Sequence, residues 1–292
     1  MRIAICGKGG SGKSTVSWLL AKHLAQSAPV LAIDADYNMD LAHNLGWTEE
    51  AGGRFISQAE GDFYQYLNLT EKDFYVDLPT KTDLKSFTFQ PNDTFTQSLV
   101  QPAGDNVSLM IAGPTHPNLL YGHRCSHAYV SSLKYYLPLL QTDCPVIIDS
   151  VAGTDMVSYG MYLGVDAVVV VVEPTANSMG VFRQISDITD EFGIPAFAVM
   201  NKVVQGRPAA ETFVVRHKSQ ILAEIPADVS LMEMDWNQIS ASVKQAAASL
   251  ASSLTGKKFD PAQRWQRHLR WREKYEEKLT ESKKGKYNFV AP

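Results

Sequence analysis

The chain has 292 residues with 45% hydrophobic content, which is enough for one large α/β domain with its own core. Its 27 Lys and Arg residues against 31 Asp and Glu residues give a formal net charge of -4, so charge gives no global reason to expect attraction to nucleic acid or to anionic membranes. The three cysteines are too few and too scattered for a disulfide framework, and no apolar run approaches the roughly 18 residues of a membrane span.

Short runs rich in β-branched residues alternate with stretches in which apolar residues recur three or four positions apart. We expect strands at 2–6, 30–34, 107–111, 145–149, 167–172, 196–201 and 221–226. Helices are expected at 14–25, 129–140, 178–192 and 240–254. This alternation predicts an α/β fold with a doubly wound, mostly parallel β-sheet flanked by helices.

A glycine-rich loop, GKGGSGKS at positions 7–14, joins the first predicted strand to the first predicted helix. It fits the pattern G-x-x-x-x-G-K-[ST] of a phosphate-binding P-loop, in the strand-to-helix context that this motif requires. The backbone N–H groups of Gly9, Gly10, Ser11 and Gly12 would converge on phosphate oxygens at the positive end of the helix. A tight turn without a chemical role is the alternative, but it would need neither the lysine nor the serine of the motif.

Residues 13–15 are the side chains expected to contact the nucleotide and its metal ion. Lys13 would reach the β- and γ-phosphates of ATP, Ser14 would ligate Mg²⁺, and Thr15 would hydrogen-bond the α-phosphate. Only a few apolar residues precede the loop, whereas a secretory signal would have a longer apolar core. We therefore expect a cytoplasmic protein that binds ATP or ADP with Mg²⁺.

Lys8 stands inside the loop, so that residues 8–15 read KGGSGKST. This resembles the deviant Walker A motif of the P-loop ATPase family that holds the nitrogenase iron protein, the MinD and ParA types of septum-site and partition ATPases, and the CooC-type nickel-insertion ATPases of carbon monoxide dehydrogenase. The resemblance covers most of the first 255 residues. It implies that Lys8 acts in catalysis by crossing to the phosphates of a second subunit, as an arginine finger does, in an ATP-dependent homodimer.

Two acidic segments extend the resemblance. Asp34 and Asp36 end the second predicted strand as in switch I of this family, where the second aspartate orients the attacking water; Tyr37 replaces the usual proline. Asp149 closes a VIID run as in Walker B, which implies that it holds Mg²⁺ through a water, and Gly153 matches the switch II glycine that senses the γ-phosphate. Simple polarity at strand ends is the alternative for these aspartates.

Asn201 and Lys202 close a strand at the place where nucleotide-binding members of the family have a base-reading asparagine. A guanine-specific N-K-x-D pattern would need aspartate at position 204, which is Val204, so ATP is favoured over GTP. An asparagine amide complements adenine N7 and the exocyclic amine. Pro226, in the IPAD segment at 225–228, resembles the residue beside the adenine, with an ordinary strand-ending turn as the alternative.

Cys125 and His127 follow the predicted strand at 107–111 in an order that resembles the nickel-insertion ATPases, whose Cys-x-Cys pair binds metal across the dimer. Here His127 replaces the second cysteine. One thiolate and one imidazole from each subunit would supply four ligands for Zn²⁺ or Ni²⁺ at the dimer interface, with His116 and His123 close in sequence. A buried cysteine beside surface histidines is the alternative.

Residues 1–255 are expected to form the ATPase domain, with an irregular insertion at about 52–105. Residues 256–292 are expected to form a charged C-terminal helix and tail. Septum-site ATPases attach to membranes through such a helix, but here acidic and basic residues are interleaved and the apolar positions do not form one wide stripe. We expect a helix that docks by its tryptophans, without stable membrane association.

The function that these motifs indicate is an ATP-hydrolysing dimeric switch in metalloenzyme maturation, similar to nickel insertion, with a client metalloenzyme as partner and no nucleic acid. A positioning or partition ATPase that binds membrane or DNA is the second hypothesis. A redox protein with a bridging iron–sulfur cluster is the third hypothesis. Against it, neither Cys6 nor Cys144 is followed by the glycine context of a cluster-binding cysteine.

Overall fold

The computed structural model describes residues 1–70, 73, 75–104, 106–114, 132–154, 161–204, 206 and 208–283. Within them, an eight-stranded sheet has the order β10-β9-β8-β1-β7-β2-β5-β4 and is parallel except for β4 at one edge. A separate pair of short strands joins β3 to β6. The strands are β1 Arg2–Gly7, β2 Val30–Asp34, β3 Phe87–Thr88, β4 Gln101–Pro102, β5 Val107–Ile111, β6 Leu140–Gln141, β7 Val146–Asp149, β8 Ala167–Val172, β9 Ala196–Val203 and β10 Ile221–Pro226.

Helices follow most of the long parallel strands and cover both faces of the sheet. They are α1 Lys13–Leu24, α2 Asp40–Asn44, α3 Glu60–Leu67, α4 Thr94–Leu99, α5 Leu133–Leu139, α6 Ala176–Glu191, α7 Pro208–Arg216, α8 Ala241–Thr255 and α9 Pro261–Lys283. The predicted doubly wound, mostly parallel sheet is confirmed, and all seven predicted strands are present.

The central strands are apolar except at their ends because helices bury both of their faces. Every residue of β1 and of β8, the latter with sequence AVVVVV, is buried. One apolar layer contains Ile3 and Ile5 together with the buried face of α1 and α8. The opposite layer contains Ala4 and Cys6 together with α6 and the insertion. Alternate residues of the same strand therefore build two separate cores.

The order of strands determines where polar groups meet. β1 lies between β7 and β8, and Ile5 pairs with Asp149 while Cys6 pairs with Val170. In the next pair of strands, Asp34 of β2 lies opposite Asp149 of β7. All these strands end at the same edge of the sheet, where ligands of open α/β folds bind.

The insertion packs onto the sheet through aromatic residues. Phe63 on α3 contacts Phe95 on α4 edge-on, with ring centroids 4.5 Å apart, and Phe87 on β3 lies 4.7 Å from the ring of Tyr136 on α5. These four side chains are nearly inaccessible to solvent. Because burial of each large ring stabilises the fold, the insertion forms part of the same core rather than an independent unit.

Helix α9 docks on the insertion side of the sheet. Trp265 and Trp271 pack against that core, and Arg267 donates a hydrogen bond of 3.0 Å to the Val165 carbonyl oxygen. His268 is fully buried, with its Nε2 2.6 Å from the Tyr75 carbonyl oxygen. The helix is therefore held by its aromatic residues and by the buried Arg267 and His268, while the other charged side chains that the structure describes on it remain at least partly exposed. In the described part of the chain, no helix is long and apolar enough to cross a membrane.

We expect acid to loosen this helix through His268. Burial lowers the pKa of His268 to about 4, whereas an unfolded histidine has a pKa of about 6.5. As pH falls from about 6.5 towards 4, the unfolded chain gains the proton first, so the histidine removes stability, on the order of 3 kcal/mol at pH 4. Gln in place of His268 keeps an N–H donor for the Tyr75 carbonyl but does not titrate.

Thermal unfolding of the wild type and His268→Gln, measured from pH 7.5 to 4.5, checks this expectation. The wild-type midpoint should fall more steeply than that of the variant below about pH 6.5. Carboxyl groups titrate equally in both proteins, so the difference between the two curves isolates the histidine. Parallel curves would show that His268 does not control the acid response.

Candidate functional site

The glycine loop connects β1 to α1 in a backbone conformation that requires glycine. Gly7 and Gly12 have φ values of 148° and 92°. A Cβ atom at Gly12 would lie 2.3 Å from the Asn201 Nδ2, and one at Gly7 would lie 2.7 Å from the Val171 carbonyl oxygen. These close approaches pack the loop against the ends of β8 and β9 and leave no space for larger residues.

The first turn of α1 offers both N–H donors and a cation. No side chain caps this helix end, so the backbone N–H groups at its start remain available to an anion. Lys13, its first residue, is only 8% exposed although it is charged. Ser14 and Thr15 follow it on the same turn. The loop and the helix end therefore place backbone N–H donors beside a buried ammonium group, an arrangement that suits an anion such as phosphate, and we call it the phosphate cradle.

Two carboxyl groups of the β2 segment approach this cradle. The Asp34 carboxylate is fully buried and accepts hydrogen bonds from the backbone N–H groups of Asp36 and Ala42, at 3.1 and 2.8 Å. Asp36 is 8% exposed, and it accepts a hydrogen bond from the Asn38 N–H at 3.0 Å. Burial raises the pKa of Asp36, and the nearby Lys13 ammonium acts in the opposite direction. Asp34 thus shapes the loop, while Asp36 is free to face the cradle.

Asp149 brings a third carboxyl group to the same place. It is fully buried, and its Oδ1 accepts a hydrogen bond of 2.8 Å from the Ser17 hydroxyl. Burial raises the pKa of Asp149 to about 6, while the hydroxyl groups of Ser14 and Ser17 and the Lys13 ammonium act in the opposite direction. Ser17 was not among the predicted site residues. Its position one turn after Ser14, on the same helix face, was the available signal.

The second carboxyl oxygen of Asp149 is unsatisfied. Asp149 Oδ2 is buried without a hydrogen-bond partner in the described residues. A buried carboxylate oxygen is costly unless it binds something, and oxygen is the donor that Mg²⁺ prefers. The residues present therefore fit a magnesium ion held between Asp149 and Ser14, as the sequence predicts.

The switch II glycine lies directly against the phosphate loop. The Gly153 N–H donates a hydrogen bond of 2.9 Å to the Gly7 carbonyl oxygen, and Gly153 has a φ of 84°. The neighbouring Ala152 side chain lies beside Gly9. The segment that follows Asp149 therefore contacts the loop at Gly7 and Gly9. The Gly153 N–H, which the sequence predicts to sense the γ-phosphate, is hydrogen-bonded to the loop itself in this structure.

Asn201 and Lys202 hold the phosphate loop by its carbonyl groups. The buried Asn201 amide donates a hydrogen bond of 2.8 Å to the Ser11 carbonyl oxygen. The Lys202 ammonium lies 2.7 Å from the Gly10 carbonyl oxygen and 2.8 Å from Glu173 Oε1. Sequence reasoning predicted base-binding roles for this pair and missed Glu173. Tethering the carbonyl oxygens on one side of the loop directs its N–H groups to the other side, towards an anion.

We expect Lys202→Met to weaken ATP binding by about three- to tenfold, because it removes charge-assisted bonds that are partly exposed. Lys202→Arg should recover part of the affinity, and Glu173→Gln should cost less, since the bond to Gly10 remains. Lys244→Met, on α8, is the matched control for loss of one lysine. Calorimetric titration with Mg-ATP measures the affinity of each variant. Equal affinity of wild type and Lys202→Met would contradict the expectation.

Pro226 ends β10, and the following N–H of Ala227 donates a hydrogen bond of 3.2 Å to the Val203 carbonyl oxygen. The segment is thereby tied to the end of β9, next to Asn201. Asp228 accepts a hydrogen bond of 2.8 Å from the Ser230 N–H, which turns the chain away. Val229 remains 77% exposed. Pro226 therefore lies at the same sheet edge as the phosphate loop.

The predicted metal ligands Cys125 and His127, with His116 and His123, lie outside the described residues. Of the other cysteines, Cys6 is fully buried in β1, and burial raises the pKa of its thiol to about 12. Cys144 is half-buried before β7. The described residues contain no cluster of three or more His, Cys, Asp or Glu side chains arranged to hold a metal ion.

The sequence model of the CobQ/CobB/MinD/ParA nucleotide binding domain matches residues 3–240. The chain belongs to this family. Its phosphate loop, its buried carboxylates and its parallel sheet all lie within the matched range. The family assignment gives the cradle its ligand class, which is a nucleotide.

Two proteins of similar sequence share most of their length with this chain. An uncharacterized ATP-binding protein from Methanocaldococcus jannaschii is 28% identical over 242 residues, which cover 80% of this chain and 90% of that protein. The carbon monoxide dehydrogenase accessory protein CooC from Rhodospirillum rubrum is 29% identical over 246 residues, covering 80% of this chain and 87% of CooC.

Solved structures of low identity share the fold. A plasmid partition protein from Borrelia burgdorferi bound to AMPPNP has a TM-score of 0.61 at 18% identity, covering 88% of this chain and 98% of that chain. The cell division ATPase MinD from Pyrococcus furiosus has a TM-score of 0.55 at 20% identity, covering 87% and 98%.

Proposed function

We propose that this protein is an ATP-hydrolysing dimeric switch that serves the maturation of a metalloenzyme. The observation that carries the ATPase part is the phosphate cradle, in which the loop N–H groups and the buried Lys13 lie near Asp36, just after β2, and Asp149, at the end of β7. A site that only bound Mg-ATP would need the cations and the Asp149 metal ligand, but not a second buried carboxyl group, that of Asp36, beside Lys13.

Lys8 supports the dimeric part of the proposal. Unlike Lys13, it is not buried; its Nζ lies 3.3 Å from the Gly9 carbonyl oxygen and forms no ion pair with a described residue. A loop lysine that is only half-buried is available to a second subunit. In the proposed mechanism, Lys8 of each subunit completes the phosphate site of the other, so that closure of the dimer precedes hydrolysis.

Magnesium and the water molecule complete the chemistry. Mg²⁺ would be held by Ser14 and, through a water, by Asp149, and it would neutralise charge on the β- and γ-phosphates. Asp36 would orient the water that attacks the γ-phosphate. Burial raises the pKa of this carboxyl group, while the Asn38 N–H and the Lys13 ammonium act in the opposite direction.

The maturation role rests on the similarity to CooC and on the order of Cys125 and His127 in the sequence. We expect the ATP-bound dimer to bind Zn²⁺ or Ni²⁺ at about one ion per dimer, with two thiolates and two imidazoles as ligands. Cys125→Ala should lose this metal and keep ATP binding, because the nucleotide cradle is built from other segments.

Metal titration with nucleotide present, on wild type, Cys125→Ala and Cys144→Ala, measures this. Cys144→Ala removes a thiol that is not part of the proposed site, so its metal stoichiometry should match the wild type. If Cys125→Ala binds as much metal as the wild type, the metal role is wrong even though the ATPase proposal stands. Nucleotide-dependent sedimentation with DNA or with anionic liposomes would instead favour a positioning or partition ATPase.

A further inference from the structure

A cleft lies at the edge of the sheet where the parallel strands begin, opposite the edge that carries the nucleotide cradle. Two adjoining cavities of about 370 and 300 Å³ share Asp166, Lys257 and Phe259. Their walls are the starts of β1, β7, β8 and β9 and the linker between α8 and α9. The six residues of β1 separate this cleft from the phosphate loop by roughly 17 Å, at about 3.3 Å per residue.

The side chains of this amino-edge cleft carry an excess of positive charge, although the whole chain has a net charge of -4. The cationic side chains that line the two cavities are Arg2, Lys257, Lys258, Arg264 and Arg267. The anionic ones are Asp143, Asp166 and Asp260. A local excess of this kind, against the charge of the molecule, favours an anionic ligand.

Two of the arginines are buried without a carboxylate of their own. Arg2 is 4% exposed and its guanidinium donates to the carbonyl oxygens of Leu137 and Leu140, while Arg267 is 6% exposed and donates to the Val165 carbonyl oxygen. Carbonyl groups satisfy hydrogen bonds but do not neutralise charge. Burial and the neighbouring Arg264 guanidinium lower the pKa of Arg2 to about 10, so cations already crowd one another here.

Both oxygens of the Asp166 carboxylate already have partners. Asp166 is 3% exposed; one of its oxygens pairs with the Arg264 guanidinium, and the other accepts a hydrogen bond of 2.8 Å from the Arg2 backbone N–H. Asp260 accepts a hydrogen bond of 2.9 Å from the Ala262 N–H. One shared carboxylate therefore faces three guanidinium groups, which is unfavourable in a low-dielectric environment unless another anion joins them.

We propose that the amino-edge cleft binds a small anion that carries phosphate or carboxylate groups, at a site separate from the nucleotide cradle. Lys257 and Lys258 lie on the α8–α9 linker and supply the accessible positive charges. The buried arginines beneath them add to the positive electrostatic potential of the cleft. The Lys257 ammonium lies 4.2 Å from the centre of the Phe197 ring, and Phe259 forms part of both cavities. An anion with a flat or apolar portion fits these walls.

The shape of the cleft favours a small molecule over a nucleic-acid backbone. Two of the cations are recessed, and three carboxylates lie among the five positive side chains, so the cleft does not present the continuous basic surface that tracks a phosphate chain. Ligand binding here would hold the start of α9 against the sheet.

Inorganic pyrophosphate and citrate are suitable probes, used in thermal unfolding and calorimetric titration of the full chain. We expect the phosphate loop to bind pyrophosphate as well, so the titrations are made in Lys13→Ala, with and without the further substitutions Lys257→Ala and Lys258→Ala. A saturable rise of the melting temperature is expected in Lys13→Ala, with an affinity roughly tenfold lower or worse when both linker lysines are removed. Preference for pyrophosphate or for citrate identifies the phosphate or the carboxylate source.

Lys13→Ala/Lys244→Ala is the matched control, because it removes a lysine from α8 outside the cleft, and it should bind like Lys13→Ala. The proposal is wrong if neither probe gives a saturable effect in Lys13→Ala. It is also wrong if the variant without Lys257 and Lys258 binds the probes as tightly as the control. Sedimentation with DNA that depends on these two lysines, without binding of either probe, would overturn it in favour of a nucleic-acid surface.

Discussion

Lys13→Ala is expected to abolish ATP binding, whereas Lys8→Ala is expected to retain binding and lose both the closed dimer and turnover. The reason lies in the positions of the two ammonium groups. Lys13 is buried at the start of α1, inside its own cradle, while Lys8 is only half-buried, beside Gly9. Loss of a buried cation that pairs with phosphate removes ground-state binding, whereas a group supplied in trans contributes about 10³- to 10⁵-fold to the chemical step in related phosphoryl-transfer sites.

Calorimetry with Mg-ATP, analytical ultracentrifugation and phosphate release measure the three properties separately. A complementation experiment tests the trans-acting role more directly. Lys8→Ala and Asp36→Ala should each be inactive alone, yet a mixed dimer has one site with an intact Asp36 and a Lys8 from the other subunit. A random one-to-one mixture should regain about one quarter of the wild-type sites. Turnover by Lys8→Ala alone, or a mixture as inactive as its components, would contradict the proposal.

Local sequence patterns predict the seven long parallel strands and the phosphate loop, but not the short strands β3, β4 and β6. Strand β8 has only apolar residues because both of its faces are covered, and that property is visible in the sequence. The loop motif is contiguous, so the glycines, Lys13 and Ser14 could be recognised without knowledge of the fold. Asp34 and Asp149 end neighbouring strands of a parallel sheet, and their proximity follows from strand order.

Contacts between distant segments could not be predicted in the same way. Glu173 follows β8 and Lys202 lies near the end of β9, so they meet only because these two strands are adjacent. The amino-edge cleft depends on where the α8–α9 linker returns to the sheet, which no local pattern specifies. The insertion was recognised as irregular, but its aromatic packing between α3, α4 and α5 depends on tertiary contacts that override local propensity.

The two buried carboxylates of the sheet should respond oppositely to the same substitution. Asp149→Asn is expected to stabilise the nucleotide-free protein near pH 8, on the order of 2 kcal/mol, and to remove the dependence of ATP binding on Mg²⁺. Burial raises the pKa of Asp149 to about 6, above the value near 3.9 of an unfolded aspartate. The folded state therefore binds the proton more tightly, and stability present below about pH 4 is lost as pH rises to about 6. Asparagine avoids that loss.

Asp34→Asn should lower stability instead. Both oxygens of Asp34 accept backbone N–H groups, so an amide would place an N–H donor against another donor, at a cost of about 1 to 3 kcal/mol. Burial also raises the pKa of Asp34, as does the neighbouring Asp149, but the two hydrogen bonds offset part of that cost in the wild type. Thermal unfolding of both variants at pH 4.5 and pH 8, with and without Mg-ATP, shows which substitution stabilises the protein and which destabilises it. If Asp149→Asn melts below the wild type at pH 8, the unsatisfied oxygen is not a strained site kept for a metal ion, and the magnesium assignment loses its support.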